Sequence, residues 1–215
     1  MPRPRFARAP ADKREALLDS AAQEFAAHGY NDASINRILL GAGFSKGAFY
    51  YYFDDKPDLA AAVLEREAGR YLHLWAELKK PKHAEDFWRE IVSVLERGTA
   101  QLKAAPAARV DAMLRIGTAM SRDPELASRM MTPAFREATA KLAAFWKQGQ
   151  EVGAVRVDLP VTTLLAILQD MKLVLVRALL PHDRTPSADE LVAFGKLHLD
   201  LIRRIAEVRR EHAHA

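Results

Sequence analysis

Within seven positions, Lys46, Gly47, Ala48, Tyr50, Tyr51 and Tyr52 bring together one cation, two small residues and three phenols. A cation and phenols make directional hydrogen bonds, and small residues let a neighbouring surface approach closely. That combination suits gripping a polar surface, not making or breaking bonds. No nucleophile–base spacing or phosphate loop supports catalysis, and the chain has no cysteine. Of the seven histidines, His212 and His214 sit in the tail and the other five show no tight ligand spacing. His83, Glu85 and Asp86 cluster, but they read as the polar start of a helix. No catalytic residue, metal site or cofactor is expected.

The elements that must present those groups are two short helices and a tight turn. Ser34 can cap the first, where Ile35, Ile38 and Leu39 share one face. Gly43 stands where that helix must stop, in the left-handed conformation open to glycine. Ser45 can cap the second, and Phe49 and Phe53, four apart, give it a buried side. A helix-turn-helix lays its second helix in the DNA major groove. The run Gly43-Phe44-Ser45-Lys46-Gly47-Ala48-Phe49-Tyr50-Tyr51-Tyr52-Phe53, leading into Lys56 and Leu59, resembles the DNA-binding domain of TetR-family regulators. The likeness covers roughly residues 12–60; beyond it, only length and helicity match. The family usually has alanine at the position of Leu39, so a wider helix crossing or a neighbouring gap is expected there. Gly41 lowers helix propensity where alanine is commoner.

The resemblance implies an all-α protein of about nine helices. Residues 12–58 would be the DNA-binding domain, and 59–215 an effector-binding and dimerisation domain. Residues 1–11 read as a basic flexible arm, able to follow phosphates or enter a minor groove, or serving as a disordered solubilising tail. By family position, Lys46 and Tyr51 would meet base edges. Gly47 and Ala48 would let the helix sit deep, with Ala48 near a thymine methyl. Asn36 and Arg37 would reach phosphate or a flanking base. Ser34, Ser45, Tyr50, Tyr52 and Lys56 would hold phosphates, which position without specifying sequence.

Net charge is +4, yet residues 1–60 hold eight basic and eight acidic groups. Neutrality there argues against strong non-specific DNA binding. The charged, proline-rich N-terminus does not read as a secretory signal, and no apolar run is long enough to span a bilayer. A cytoplasmic protein without membrane contact is expected.

Asp12 with Glu15 predicts a capping box for a first helix over about 12–28, ended by Gly29. Asp55 should cap a long helix that Pro81 ends. Further helices are predicted over about 84–104, 106–122 and 133–152, with a short one carrying Leu126, Met130 and Met131. A helix over 161–180 is apolar on nearly every side and must be covered all round. Ser187 and Glu190 should open a last helix reaching Val208.

Met113, Met120, Met130 and Met131 with Trp88, Phe135, Phe145 and Trp146 could line an adaptable apolar pocket, or serve as ordinary core. Asp170 is expected as that pocket's polar member, as a partner to Arg177 or to an arginine of a second subunit, or as an exposed residue at the rim of a helix bundle. Excess apolar surface on the last two helices suggests a homodimer through Leu165, Leu168, Leu191, Phe194, His198, Leu201 and Ile205. The combined reading is a DNA-binding transcriptional regulator, a repressor on a pseudo-palindromic double-stranded operator. A small, mainly apolar effector would release it. The rivals are a DNA-binding or architectural protein without ligand control and a helical-bundle enzyme.

Overall fold

The computed structural model describes residues 3–179, 184 and 186–208, with backbone alone at 68, 70–72 and 76. The side chain of Tyr71, and Leu180, Pro181, His182, His212 and His214, lie outside the described residues. After a 3₁₀ turn (Phe6–Arg8) come α1 (Ala11–Asp32), α2 (Ile35–Ala42), α3 (Lys46–Tyr52), α4 (Lys56–Ala76) and α5 (Ala84–Ala104). Then follow α6 (Ala107–Arg122), α7 (Pro124–Met130), α8 (Pro133–Glu151), α9 (Val161–Leu179) and α10 (Ala188–Ala206). The described chain is all-α, with Val155 and Glu207 forming an isolated bridge. The short α7 is the helix expected to carry Leu126 and Met130, and the 3₁₀ turn is the addition.

Local chemistry explains most boundaries. Ser34 accepts from the Arg37 amide and Ser45 from the Ala48 amide, capping α2 and α3. Gly43 takes φ 65° and ψ 32°, and the Phe44 amide reaches back 2.8 Å to the Leu39 carbonyl. Asp55 caps α4 by accepting from the Asp58 amide at 3.2 Å. Ser187 and Glu190 form the full reciprocal box at α10. Gly29, at φ 72°, breaks α1 where its end is expected.

The start of α1 differs. Its cap position is Pro10, with no side-chain bond, so the expected Asp12–Glu15 box is absent. Glu15 is drawn elsewhere, to the Arg66 guanidinium at 3.3 Å. Arg66 also donates to Asp19 at 2.9 Å, and Arg109 of α6 reaches the same carboxylate at 2.9 Å. Thus α1, α4 and α6 share one ionic cluster.

The arm also corrects its expectation. Residues 3–10 are docked, not free: Phe6 is 5% exposed and sits 4.6 Å from Phe53. An aromatic ring gains more from burial than a short charged arm gains from freedom.

Two compact units result. One takes α1–α3, α4 as far as Leu72, and Ala104–Arg136; the other takes His73–Lys103 and, beyond Arg136, most of α8 with α9 and α10. The expected break near residue 58 misses the return of α6 and α7 to the first unit. The stripe of α1 (Leu17, Leu18, Ala21, Phe25) is broad enough to need Ala112 and Ile116 of α6 besides Ile38, Phe49 and Phe53. In the second unit Phe87 stacks on Phe145 at 4.8 Å, with Trp88, Trp146, Leu164, Leu168 and Ile202 around them.

Candidate nucleic-acid interface

The interface is built on the buried stack of Phe49 and Phe53, whose rings lie 5.4 Å apart with no solvent exposure. Turning that side of α3 inward forces Lys46, Gly47, Tyr50 and Tyr51 outward. Tyr50 and Tyr51 are 54% and 52% exposed. Among the described residues, none bonds the Lys46 ammonium. Asn36 is exposed on α2, and Ala48 is half-buried. Between the starts of α2 and α3 lies an open cleft of about 360 Å³, lined by Ser34, Asn36, Leu39, Lys46, Tyr50 and Lys56 among others.

Leu39, 3% exposed, lines this cleft. Gly41 balances it: a Cβ there would fall 2.6 Å from Ser20 Oγ. That hydroxyl donates to the Ile38 carbonyl at 2.8 Å. The glycine therefore permits a close contact between α1 and α2.

α2 is held by a buried carboxylate that sequence reasoning did not single out. Glu24, 9% exposed, accepts from the Ser34 amide at 2.8 Å and from Arg37 Nε at 2.9 Å. The Arg37 guanidinium holds the Glu24 carboxyl below the usual carboxylate range, against the upward push of burial. Arg37 also donates to the Asp32 carbonyl at 3.0 Å. It is thus tied to α1 while its side chain stays half exposed on α2.

Lys56 is likewise engaged. Its ammonium donates to the Asn31 and Ala33 carbonyls, at 2.8 and 3.2 Å, and lies 5.0 Å over the Tyr30 ring. Burial pushes it below the ordinary lysine range, and pushes the Tyr30 phenol up to about 12. Ser34 and Ser45 use a lone pair as caps, and among the described residues neither O–H is donated. Tyr52 is half-buried, 5.6 Å from Phe6.

The other predicted residues divide between the units. Met130 is buried in the core of the first, with Met113, Met120 and Phe135 packed partly buried against it. Met131 is half-buried. Trp88, Phe145 and Trp146 belong to the core of the second. Asp170 is exposed on α9, which corrects its place in an apolar pocket. On α9 and α10, Leu168, Leu191 and His198 are 6–8% exposed and so buried within the single chain. Leu165 and Ile205 pack partly buried on that core, and Phe194 and Leu201 are half-buried. The apolar side chains left in solvent are instead Ile167 (41%), Val174 (52%), Leu179 (48%) and Leu197 (40%). Within the single chain one face of α9 is buried, through Leu164 and Leu168, and the opposite side stays in solvent.

Phe6, Glu24 and Ser20 were not legible as parts of this interface. Their partners stand many residues away and no local pattern links them. A lone phenylalanine inside a charged, proline-rich segment was the one available signal for Phe6.

Residues 17–63 match the model of the tetR family of bacterial regulatory proteins. The chain is 34% identical over 68 residues to the HTH-type transcriptional repressor AcnR of Corynebacterium glutamicum, covering 32% of this chain and 36% of that protein. The alignment therefore spans about a third of that relative. Over nearly the whole chain the fold is similar to SmeT, the repressor of the Stenotrophomonas maltophilia multidrug efflux pump SmeDEF. That likeness has a TM-score of 0.67 at 19% identity, covering 93% of this chain and 94% of that one. FadR from Bacillus subtilis in complex with stearoyl-CoA gives a TM-score of 0.62 at 18% identity, covering 87% and 96%.

Proposed function

Since the chain belongs to the tetR family of bacterial regulatory proteins, we propose that it is a sequence-specific DNA-binding transcriptional repressor. The observation that carries this reading is the outward face of α3. Lys46 and Tyr51 project from a helix fixed by two buried phenylalanines, beside Gly47 and Ala48, which let it sit deep. Lys46 donates to guanine acceptors, Tyr51 meets a base edge, and Ala48 packs on a thymine methyl. Asn36, Tyr50 and the O–H groups of Ser34 and Ser45 take phosphates.

The working form is a homodimer, paired through the stripe of Ile167 and Val174 on α9 with Leu197 on α10. A two-fold dimer sets its reading helices one helical turn apart, about 34–36 Å, on a pseudo-palindromic operator. The effector is small and mainly apolar, and it is held in the second unit near Trp88, Phe145 and Trp146. Aromatic side chains with few polar groups are the usual lining of such sites. The stearoyl-CoA in FadR supports an apolar effector on this fold.

Selection of bound fragments from random duplex DNA tests the reading. An inverted-repeat site is expected, and Lys46→Ala should relax preference at one position of each half. That change is worth about 1–3 kcal/mol for a true base contact. Equal affinity for selected and random DNA would remove the function.

A further inference from the structure

The N-terminal segment does more than cover a core. α3 is a short helix, and its last carbonyls have no partner within it. Arg3 supplies two of the missing donors. Its amide donates to the Tyr52 carbonyl at 2.9 Å, and its Nη1 donates to the Tyr50 carbonyl at 2.8 Å. Its Nε is 3.1 Å from Asp54 Oδ1. Three residues on, Phe6 is buried between Phe53 and Tyr52. Arg5 lies between these two anchors, so its backbone is fixed on both sides. It is exposed, and its guanidinium carbon stands 4.4 Å over the ring of Tyr51.

We propose that residues 3–9 form part of the reading head and that Arg5 is a positioning residue for Tyr51. The proposal rests on the DNA-reading role given to α3 above. A half-exposed tyrosine samples several rotamers, and each rotamer carries its phenol to a different place. A planar guanidinium stacked on the ring selects one of them. The phenol then meets a base edge without losing rotamer freedom on binding, which sharpens preference at one base. Arg3 and Phe6 hold the stack in place.

The test starts from the operator selected by the wild type. Wild type, Arg5→Ala, Arg5→Lys, Tyr51→Ala and the Arg5→Ala/Tyr51→Ala pair are titrated against operators changed one base at a time. Arg5→Ala should weaken operator binding about three- to fivefold, the scale of an exposed cation–π contact. It should lose preference at the same base as Tyr51→Ala, and cost less than about twofold once Tyr51 is gone. Arg5→Lys should keep the salt slope and lose much of the preference. In the free wild-type protein, the Arg5 side-chain protons should be shifted upfield by the Tyr51 ring, and Tyr51→Ala should abolish the shift.

A phosphate contact alone would behave otherwise. Arg5→Ala would then weaken all sequences alike, flatten the salt slope by about one unit and add fully to Tyr51→Ala. That outcome, no effect at all, or no ring shift would overturn the positioning role and leave the DNA-reading role intact. A wild type that selects no sequence would instead remove the DNA-reading role itself, and is recognised before any variant is made.

Discussion

Lys46, Arg37 and Lys56 carry the same formal charge within one small domain and end in three environments. Arg37 is paired with Glu24, Lys56 bonds two backbone carbonyls, and Lys46 projects outward. Their residue types were legible in the sequence; their partners, 13 to 25 residues upstream, were not. The packing of α1 against α2 pairs Arg37, and the start of α4 against the end of α1 pairs Lys56, whereas none of the described residues bonds the Lys46 ammonium. Lys56→Ala should therefore behave as a loss of structure. Two carbonyls lose a charged donor, and hydrogen bonds to charged groups are worth about 1.5–3 kcal/mol. Urea unfolding should show a drop of about 2 kcal/mol, while the salt dependence of DNA binding keeps its slope. A slope flattened by about 0.9 would return Lys56 to the phosphates.

At the scale of elements, helices with a clear stripe and a local cap could be read directly, as α10 shows with Ser187 and Glu190. The start of α1 and the docking of the arm could not, because a distant arginine claims Glu15 and a distant ring pair claims Phe6. Gly41 was legible as a weak helix former and illegible as a spacer. Those two properties oppose each other in Gly41→Ala. Alanine gains about 1 kcal/mol of helix propensity. Its Cβ displaces the Ser20 hydroxyl, whose bond to the Ile38 carbonyl is worth about 1 kcal/mol. The single change should thus be near neutral, within about 0.5 kcal/mol. In a Ser20→Ala background, where the obstructing oxygen is gone, the full gain should appear. Equal effects in both backgrounds would show that Ser20 does not constrain the contact.

The whole molecule adds two properties that no single helix holds. One is sensitivity to acid. His198 is 8% exposed, and burial, aided by the charge of Lys172, pushes its pKa down to about 4. The unfolded chain binds that proton near 6.5, so between pH 6.5 and 4 the unfolded state holds more protons than the folded one. The stability is fully present above pH 6.5 and is lost as pH falls toward 4. Urea unfolding should show about 2 kcal/mol less stability at pH 5 than at pH 7 from this group, and His198→Leu should flatten that dependence.

The other property is assembly. Sequence pattern showed that α9 and α10 carry surplus apolar surface, but not which residues one chain uses for its own core. Leu168, Leu191 and His198 are used there, while Ile167, Val174 and Leu197 remain 40–52% exposed. This difference singles out Val174 for a test, since Leu201 of the expected seam is half-buried in the single chain. Val174 already faces water, so Val174→Glu should change the stability of one chain by no more than about 0.5 kcal/mol. In a dimer seam the same carboxylate would be buried without a partner, at several kcal/mol. A penalty of about 3 kcal/mol weakens association more than a hundredfold. Sedimentation at micromolar concentration should then give a wild-type dimer and a folded Val174→Glu monomer. The monomer should bind half an operator as weakly as one reading helix allows. A monomeric wild type would remove the two-fold operator, and a Val174→Glu variant that stays dimeric would move the seam to another face.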